Sequence, residues 1–290
     1  MPLVRRRLVL EALEPLRLPK FRGALWHGVI GRALKALVCT VPPGICRECP
    51  QRGTCAYPRV MEAASPETAA GPLGHGRRIP GPLILDTGPW GAAAVEPGNL
   101  FALDFAVVDP EGALAPLVEE AVGRAAADGL GRARAVARVV ASEPRPSMAD
   151  ELARWAGETA ERLRLRLVSP LRLRRGGVLL RGFALRALAR DLSLRLAALG
   201  HYHGGLPWPA PWTEALAEAE RAGVAEARTR WLEGVRYSAR QGREIVTGGL
   251  VGEVCLEAVG PTLRQLLAAG TVLHAGKGAS MGLGRLELMT

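Results

Sequence analysis

Four clustered cysteines, five histidines and a loop of four glycines hold the residues of this chain best suited to chemistry. Cys39, Cys46, Cys49 and Cys55 form the pattern Cys-x6-Cys-x2-Cys-x5-Cys. Clustered thiols around a Cys-x2-Cys core in a reducing compartment read as metal ligands rather than disulfides. Pro42-Pro43-Gly44 and Gly53 supply the turns such a loop needs. Zn²⁺ suits four thiolates in a closed, structural site with no open position for catalysis, while an iron–sulfur cluster takes the same ligands, so both stay open. Cys255 lies apart in a strand-like run. The histidines are His27, His75, His201, His203 and His274, and a side chain titrating near neutrality serves as acid or base. Near the end, His274-Ala-Gly-Lys-Gly-Ala-Ser-Met-Gly-Leu-Gly-Arg285 brings glycine backbone, which can approach phosphate closely, together with two cations. This is no Walker loop, because the Gly-x4-Gly-Lys-[Ser/Thr] order is missing.

Upstream of that loop, Arg236, Arg240 and Arg243 surround a hairpin leading into Gly248-Gly249-Leu-Val-Gly-Glu253, a basic projection suited to RNA. The whole chain points the same way. Its 290 residues carry 38 Lys+Arg against 28 Asp+Glu, a formal +10. Only Lys20, Lys35 and Lys277 are lysines, a bias that a GC-rich or heat-adapted genome also produces. Between Arg162 and Arg195 stand ten arginines and one acid, Asp191. Such an excess fits a polyanionic partner, since arginine grips phosphate with two hydrogen bonds and displaces counterions. No apolar run approaches the roughly 18 residues a membrane span needs. Glu11, Glu14 and Pro15 cut the first apolar stretch too short for a signal peptide. The expectation is a cytoplasmic protein with no membrane partner.

The length suggests two domains. Leu8-Val-Leu10, Glu14-Pro-Leu-Arg-Leu18 and Arg22-Gly23 opening a helical stretch are echoed by Leu163 to Leu167, Ser169-Pro-Leu-Arg-Leu173 and Arg181-Gly182. This reads as an internal duplication of a strand, turn and helix. Each half continues as an α+β unit. In the first half, strands are expected at Leu83–Leu85, Leu100–Val108 and Ala133–Ala141, with a helix from Leu114. In the second, a helix Phe183–Leu199 precedes a loop from His201 to Trp212. Strands Ala227–Tyr237 and Ile245–Ala258, a helix Pro261–Ala269 and a strand pair broken by the glycine loop complete it. The order is β-α-β-β-α-β twice. The expected domains are 1–147, with the cysteine loop, and 148–290, with the glycine loop; Ser142–Ser147 reads as a linker.

The segments Gln241-Gly-Arg243 to Glu253, Leu273-His274 to Gly278 and Gly282-Leu-Gly-Arg285 strongly resemble the C-terminal half of CRISPR-associated endoribonucleases that process precursor CRISPR RNA. These belong to the repeat-associated mysterious protein (RAMP) superfamily, the sixth Cas protein in the usual counting. The likeness is strongest over Trp231–Leu288 and weaker over Phe21–Tyr57.

The resemblance implies two tandem ferredoxin-like (RRM-like) domains holding CRISPR repeat RNA between them. It also implies metal-independent cleavage, in which the 2′-hydroxyl attacks the adjacent phosphate to leave a cyclic phosphate. His27 resembles the first-domain position that supplies a catalytic histidine in many members, with His201 and His203 as alternatives. Arg22, Arg236, Arg240, Arg243, His274, Gly276, Lys277, Gly278, Ser280, Gly282, Gly284 and Arg285 are the candidate RNA contacts. Cys39, Cys46, Cys49 and Cys55 are the metal candidates. A catalytically inactive RAMP subunit that only binds RNA is the alternative function. Other Cas effector subunits and a second copy of the chain are left open as partners.

Overall fold

The computed structural model describes residues 1–41, 46, 48–62, 79–158, 160–207, 212–238 and 242–290. The chain divides into two compact units, Met1–Arg145 with Ala198–Trp208, and Pro146–Ala197 with Pro209–Thr290.

The first unit is built from β1 (Leu3–Ala12), β2 (Leu16–Leu18), α1 (Arg22–Val38), α2 (Ala56–Met61), β3 (Leu83–Asp86), β4 (Ala93–Val95), β5 (Leu100–Val108), α3 (Leu114–Ala127) and β6 (Ala137–Pro144). Its antiparallel sheet has the order β3-β5-β1-β6. Because strand side chains alternate between faces, Leu8 and Leu10 of β1 and Leu103, Phe105 and Val107 of β5 share one buried face. Trp26, Ile30 and Leu34 of α1 and Val118 and Val122 of α3, three or four residues apart, cover it. Asp109 accepts from the Leu114 and Ala115 amides at 2.9 Å, satisfying donors that the first turn of α3 leaves open. On the opposite face Ile84, Ala106 and Val108 are buried too. A Cβ on Gly204 would stand 3.7 Å from Val108, so the late segment of this unit lies against that side.

The second unit comprises α4 (Met148–Ala156), β7 (Arg162–Leu171), β8 (Arg174–Arg175), β9 (Val178–Leu179), α5 (Leu185–Gly204, its last turns counted with the first unit), α6 (Thr213–Arg221), β10 (Gly223–Leu232), β11 (Val235–Ser238), β12 (Arg243–Val246), β13 (Gly249–Glu257), α7 (Pro261–Leu273) and β14 (Leu286–Met289). Its sheet runs β10-β13-β7-β14, again antiparallel throughout. Counting only the four sheet strands of each unit, both orders read second-third-first-fourth. Each unit is thus a ferredoxin-like βαββαβ arrangement.

Several boundaries differ from expectation. β6 begins at Ala137 rather than Ala133 and runs on to Pro144, taking in half of the supposed linker. It is an edge strand, where a proline without an N–H is tolerated. Ser147 then caps α4 in a capping box with Asp150. The helix expected to stop at Leu199 continues to Gly204, so His201 and His203 sit on a helix, not in a loop. The glycines suggested an earlier stop. α7 likewise runs to Leu273 and enters the glycine loop directly, with no strand before it. Gly270, which reads as a breaker, is where Leu192 and Leu286 pack against the helix.

Candidate nucleic-acid interface

The glycine loop, 274–285, joins α7 to β14 and is held from two sides. From α5, the Asp191 carboxylate accepts from the Gly276 amide at 2.6 Å. One turn on, Arg195 donates to the Leu273 carbonyl at 2.8 Å and to the Ser280 hydroxyl at 3.5 Å. From the end of β7, the Ser169 hydroxyl donates to Gly282 O at 2.8 Å and accepts from the Arg285 amide at 2.9 Å. The Pro170 carbonyl takes the Gly284 amide, and the Arg172 carbonyl takes that of Lys277. Burial raises the Asp191 pKa, opposed by the Gly276 amide and by Arg195. Burial pushes Arg195 down to about 10, opposed by Asp191. Arg195 therefore keeps its charge near neutrality.

Two of the glycines admit no side chain. At Gly284, φ is +65° and a Cβ would stand 1.8 Å from Ala275 O; at Gly276, φ is +77° and the Arg172 carbonyl would be 2.8 Å away. What the fastened loop leaves outward is Lys277, which is exposed, and Gly276, Gly278, Ser280, Gly282 and Arg285, which are half-exposed. The Gly278 and Ser280 amides make no hydrogen bond among the described residues. Arg285 pairs with Glu287 at 3.0 Å. His274 is corrected: it is 1% exposed at the end of α7, so it supports the loop from inside and offers RNA no surface. Gly284 is buried as well.

Between β10 and β13 the chain makes the β11–β12 hairpin, tied at its base where the Thr247 and Gly248 amides donate to Gly234 O. Arg243 is exposed there; Arg240 and the Arg236 side chain lie outside the described residues, as does His75. The ten arginines do not form one basic surface. Arg162, Arg164 and Arg166 share the outer face of β7, while Leu163, Leu165 and Leu167 point inward. Register places Glu257, Cys255 and Glu253 of β13 beside those arginines, and Glu287 of β14 beside Arg166. Arg166 pairs with Glu253 at 3.1 Å and with Glu287 at 3.9 Å, and Arg228 of β10 pairs with Glu226. Exposed pairs of this kind contribute at most about 1 kcal/mol each, but they do cancel charge locally. Arg174 and Arg175 on β8 are exposed and make no ion pair among the described residues. They follow closely on Arg172, whose carbonyl holds the glycine loop.

His27 lies half-buried on α1 beside the buried Trp26. Gly23 and Gly31, four residues to either side, put no side chain over the imidazole along its own helix face. Arg22 is half-buried and donates to the carbonyls of Gly91 and Thr87 at 3.3 and 3.5 Å, and desolvation lowers its pKa. It pins the 87–91 loop, against which Phe21 stacks through Trp90 at 5.5 Å. The structure does not offer Arg22 freely to phosphate. His203 Nε2 meets the Pro80 carbonyl at 2.7 Å, and burial lowers its pKa, opposed by that hydrogen bond. His201 Nδ1 meets Leu206 O at 3.2 Å.

Residues 165–286 match the family model of the CRISPR-associated endoribonuclease Cas6, and residues 1–158 match a model described as an N-terminal domain. The second half of the chain thus matches the Cas6 family. No curated protein matches the sequence. Among solved structures, the product complex of a Thermus thermophilus Cas6 is similar at TM-score 0.61 and 17% identity, covering 99% of this chain and 100% of that one. Another Cas6 product complex gives 0.58 and 21%, covering 100% of both chains. A RAMP protein binding different RNA substrates gives 0.51 and 11%, covering 99% of this chain and 100% of that one. These likenesses are of fold.

In the first unit the cysteines stand on and beside the segment between α1 and α2. Cys39 is exposed, and Cys46, Cys49 and Cys55 are half-buried. Among the described residues no group of three or more His, Cys, Asp or Glu is arranged to hold an ion, so the four sulfurs as placed do not form a closed site. Interaction with the Cys46 sulfur raises the pKa of Lys35, whose ammonium also lies over the Tyr57 ring at 5.6 Å. The sequence reading missed Asp191, Arg195 and Ser169. Asp191 was visible only as the lone acid among ten arginines, and Ser169 as the residue before proline in the second copy of a repeat.

Proposed function

We propose that this Cas6-family endoribonuclease binds CRISPR repeat RNA at its glycine loop and cuts it without a metal ion. The observation that carries this reading is the loop itself: two backbone amides with no hydrogen bond among the described residues, Gly278 N and Ser280 N, beside an exposed Lys277, with the exposed Arg174 and Arg175 following the Arg172 that holds the loop. Backbone amides and cations together complement phosphate oxygens.

In the cleavage step the ribose 2′-oxygen bonds to phosphorus and the bond to the 5′-oxygen breaks, giving a 2′,3′-cyclic phosphate and a 5′-hydroxyl. One proton leaves the 2′-hydroxyl and one reaches the 5′-oxygen. His27 is assigned one of these transfers, with His201 and His203 as the alternatives. The carbonyl contacts of the latter two each occupy one ring nitrogen. Purified protein with repeat RNA in EDTA is expected to give a single cut, and His27→Ala to slow it by about 10²–10⁴-fold, the usual contribution of a general acid or base, with affinity kept within a few-fold. No cut in any repeat of the source genome would instead mark an RNA-binding subunit without activity.

Zinc on Cys39, Cys46, Cys49 and Cys55 is proposed as a structural element that no step of the cleavage uses. Closing that site requires the loop to rearrange. One zinc per chain by elemental analysis in reducing buffer supports it, and none removes it.

A further inference from the structure

We propose that Asp191 and Arg195 are positioning residues for RNA binding, acting through the backbone of the glycine loop. This rests on the reading of that loop as an RNA contact.

A loop rich in glycine has no conformation of its own. Its freedom, which lets backbone approach a phosphate, also spreads its amides over many directions unless something outside fixes them. Here the fixing groups come from one face of α5. Asp191 and Arg195 are four residues apart, hence one above the other on the helix. They grip the loop at three points, Leu273 O, Gly276 N and Ser280 Oγ. The grips flank the two donors that remain open: Asp191 holds the amide two residues before Gly278, and Arg195 holds the side chain of Ser280 itself. Ser169 fastens the far end at Gly282 and Arg285 and the Arg172 carbonyl holds the Lys277 amide, so residues 278–281, themselves turned by bonds to Gly276 O and Gly278 O, lie between these anchors and the grips of α5. A carboxylate facing a phosphate-binding loop is electrostatically adverse unless it is consumed locally. Asp191 is so consumed, by the Gly276 amide and by Arg195, and its presence in an arginine-dominated segment follows from this task.

The test measures single-turnover cleavage of a 5′-labelled repeat RNA, transcribed from an array of the source genome, over a range of protein concentrations. Asp191→Ala is expected to raise the half-saturating concentration by about tenfold, the size of one charge-assisted hydrogen bond, while the rate at saturation stays within twofold. Asp191→Asn, which keeps an acceptor for Gly276 N, is expected to restore affinity to within about threefold. Lys277→Ala is the control on the loop. If Lys277→Ala weakens binding and Asp191→Ala does not, the positioning role is wrong and the loop reading stands. If neither moves the half-saturating concentration, the loop is not the RNA contact and both readings fall. A fall in the saturating rate alone would assign Asp191 to the chemistry instead and overturn the proposal. Should Asp191→Ala not fold, Asp191→Glu, which displaces the carboxylate by one methylene, carries the same expectation at about threefold, and unchanged binding there counts against it.

Discussion

The connection from the last helix to the last strand is built twice in this molecule, and the two copies share their fastening but not their support from a neighbouring helix. In the second unit Ser169 accepts the amide of Arg285, the residue before β14; in the first, Glu14 accepts that of Val136, the residue before β6. Each acceptor directly precedes the proline of a Pro-Leu-Arg-Leu stretch. The arginine carbonyls correspond as well: a Cβ on Gly276 would meet Arg172 O at 2.8 Å, and one on Gly131 would meet Arg17 O at 3.3 Å. Both turns also bond to themselves, Leu130 and Ala135 exchanging both backbone hydrogen bonds and the Ala275 amide donating to Gly284 O, but 274–285 is longer and is held besides by side chains of α5. One fold position thus yields a short turn held by its own strand ends and a longer one buttressed by a neighbouring helix. The difference lies in whether helix side chains also fix the turn.

The comparison breaks first at its glycines. Gly284→Ala places a methyl against Ala275 O and is expected to cost more than about 3 kcal/mol and to abolish RNA binding; Gly131→Ala, with more room, is expected to cost about 1–2 kcal/mol and to leave RNA binding intact. Chemical denaturation beside a binding assay reads both. Next come the fasteners. Ser169→Ala and Glu14→Ala each orphan one amide at about 1 kcal/mol, but only Ser169→Ala is expected to lower RNA affinity, by about fivefold. Equal losses of affinity would mean that the turn of the first unit also meets RNA.

The smallest effect concerns the first unit alone. His203 has a folded pKa below its ordinary value, so the folded state binds protons less readily than the unfolded chain. Its contribution is complete above about pH 6.5 and declines as the pH falls through the window below it. The melting temperature is expected to drop by a few degrees more between pH 7 and pH 5 in the wild type than in His203→Gln. A parallel fall in both would place the acid sensitivity elsewhere.

The repeat was readable because its marks, Pro-Leu-Arg-Leu and Arg-Gly, are local. Strand alternation in β7 was readable for the same reason, Leu163, Leu165 and Leu167 standing against Arg162, Arg164 and Arg166. The local balance of charge on β7 was not readable because the neutralising acids Glu253, Glu257 and Glu287 come from strands far along the chain, and only sheet register brings them alongside. The helix ends at Gly204 and Leu273 were missed because Gly200 and Gly270 look like stops. In the folded chain they are close-packing positions, facing Leu206 in one case and Leu192 and Leu286 in the other. His274 stood out by its neighbours in sequence, which say nothing about which side of a loop faces inward.

The segment Ala198–Trp208 completes the first unit although that unit's last strand ends at Pro144. On the ribosome, then, the first unit waits. About sixty residues, most of them of the second unit, must be made after β6 before Gly204 can reach Val108, roughly 3–12 s at ordinary elongation rates. Through that interval Ile84, Ala106 and Val108 lack the turns of α5 that belong with them. The first unit can therefore close only once the end of α5 has been made, while β10, β13 and β14 of the second unit are still to come.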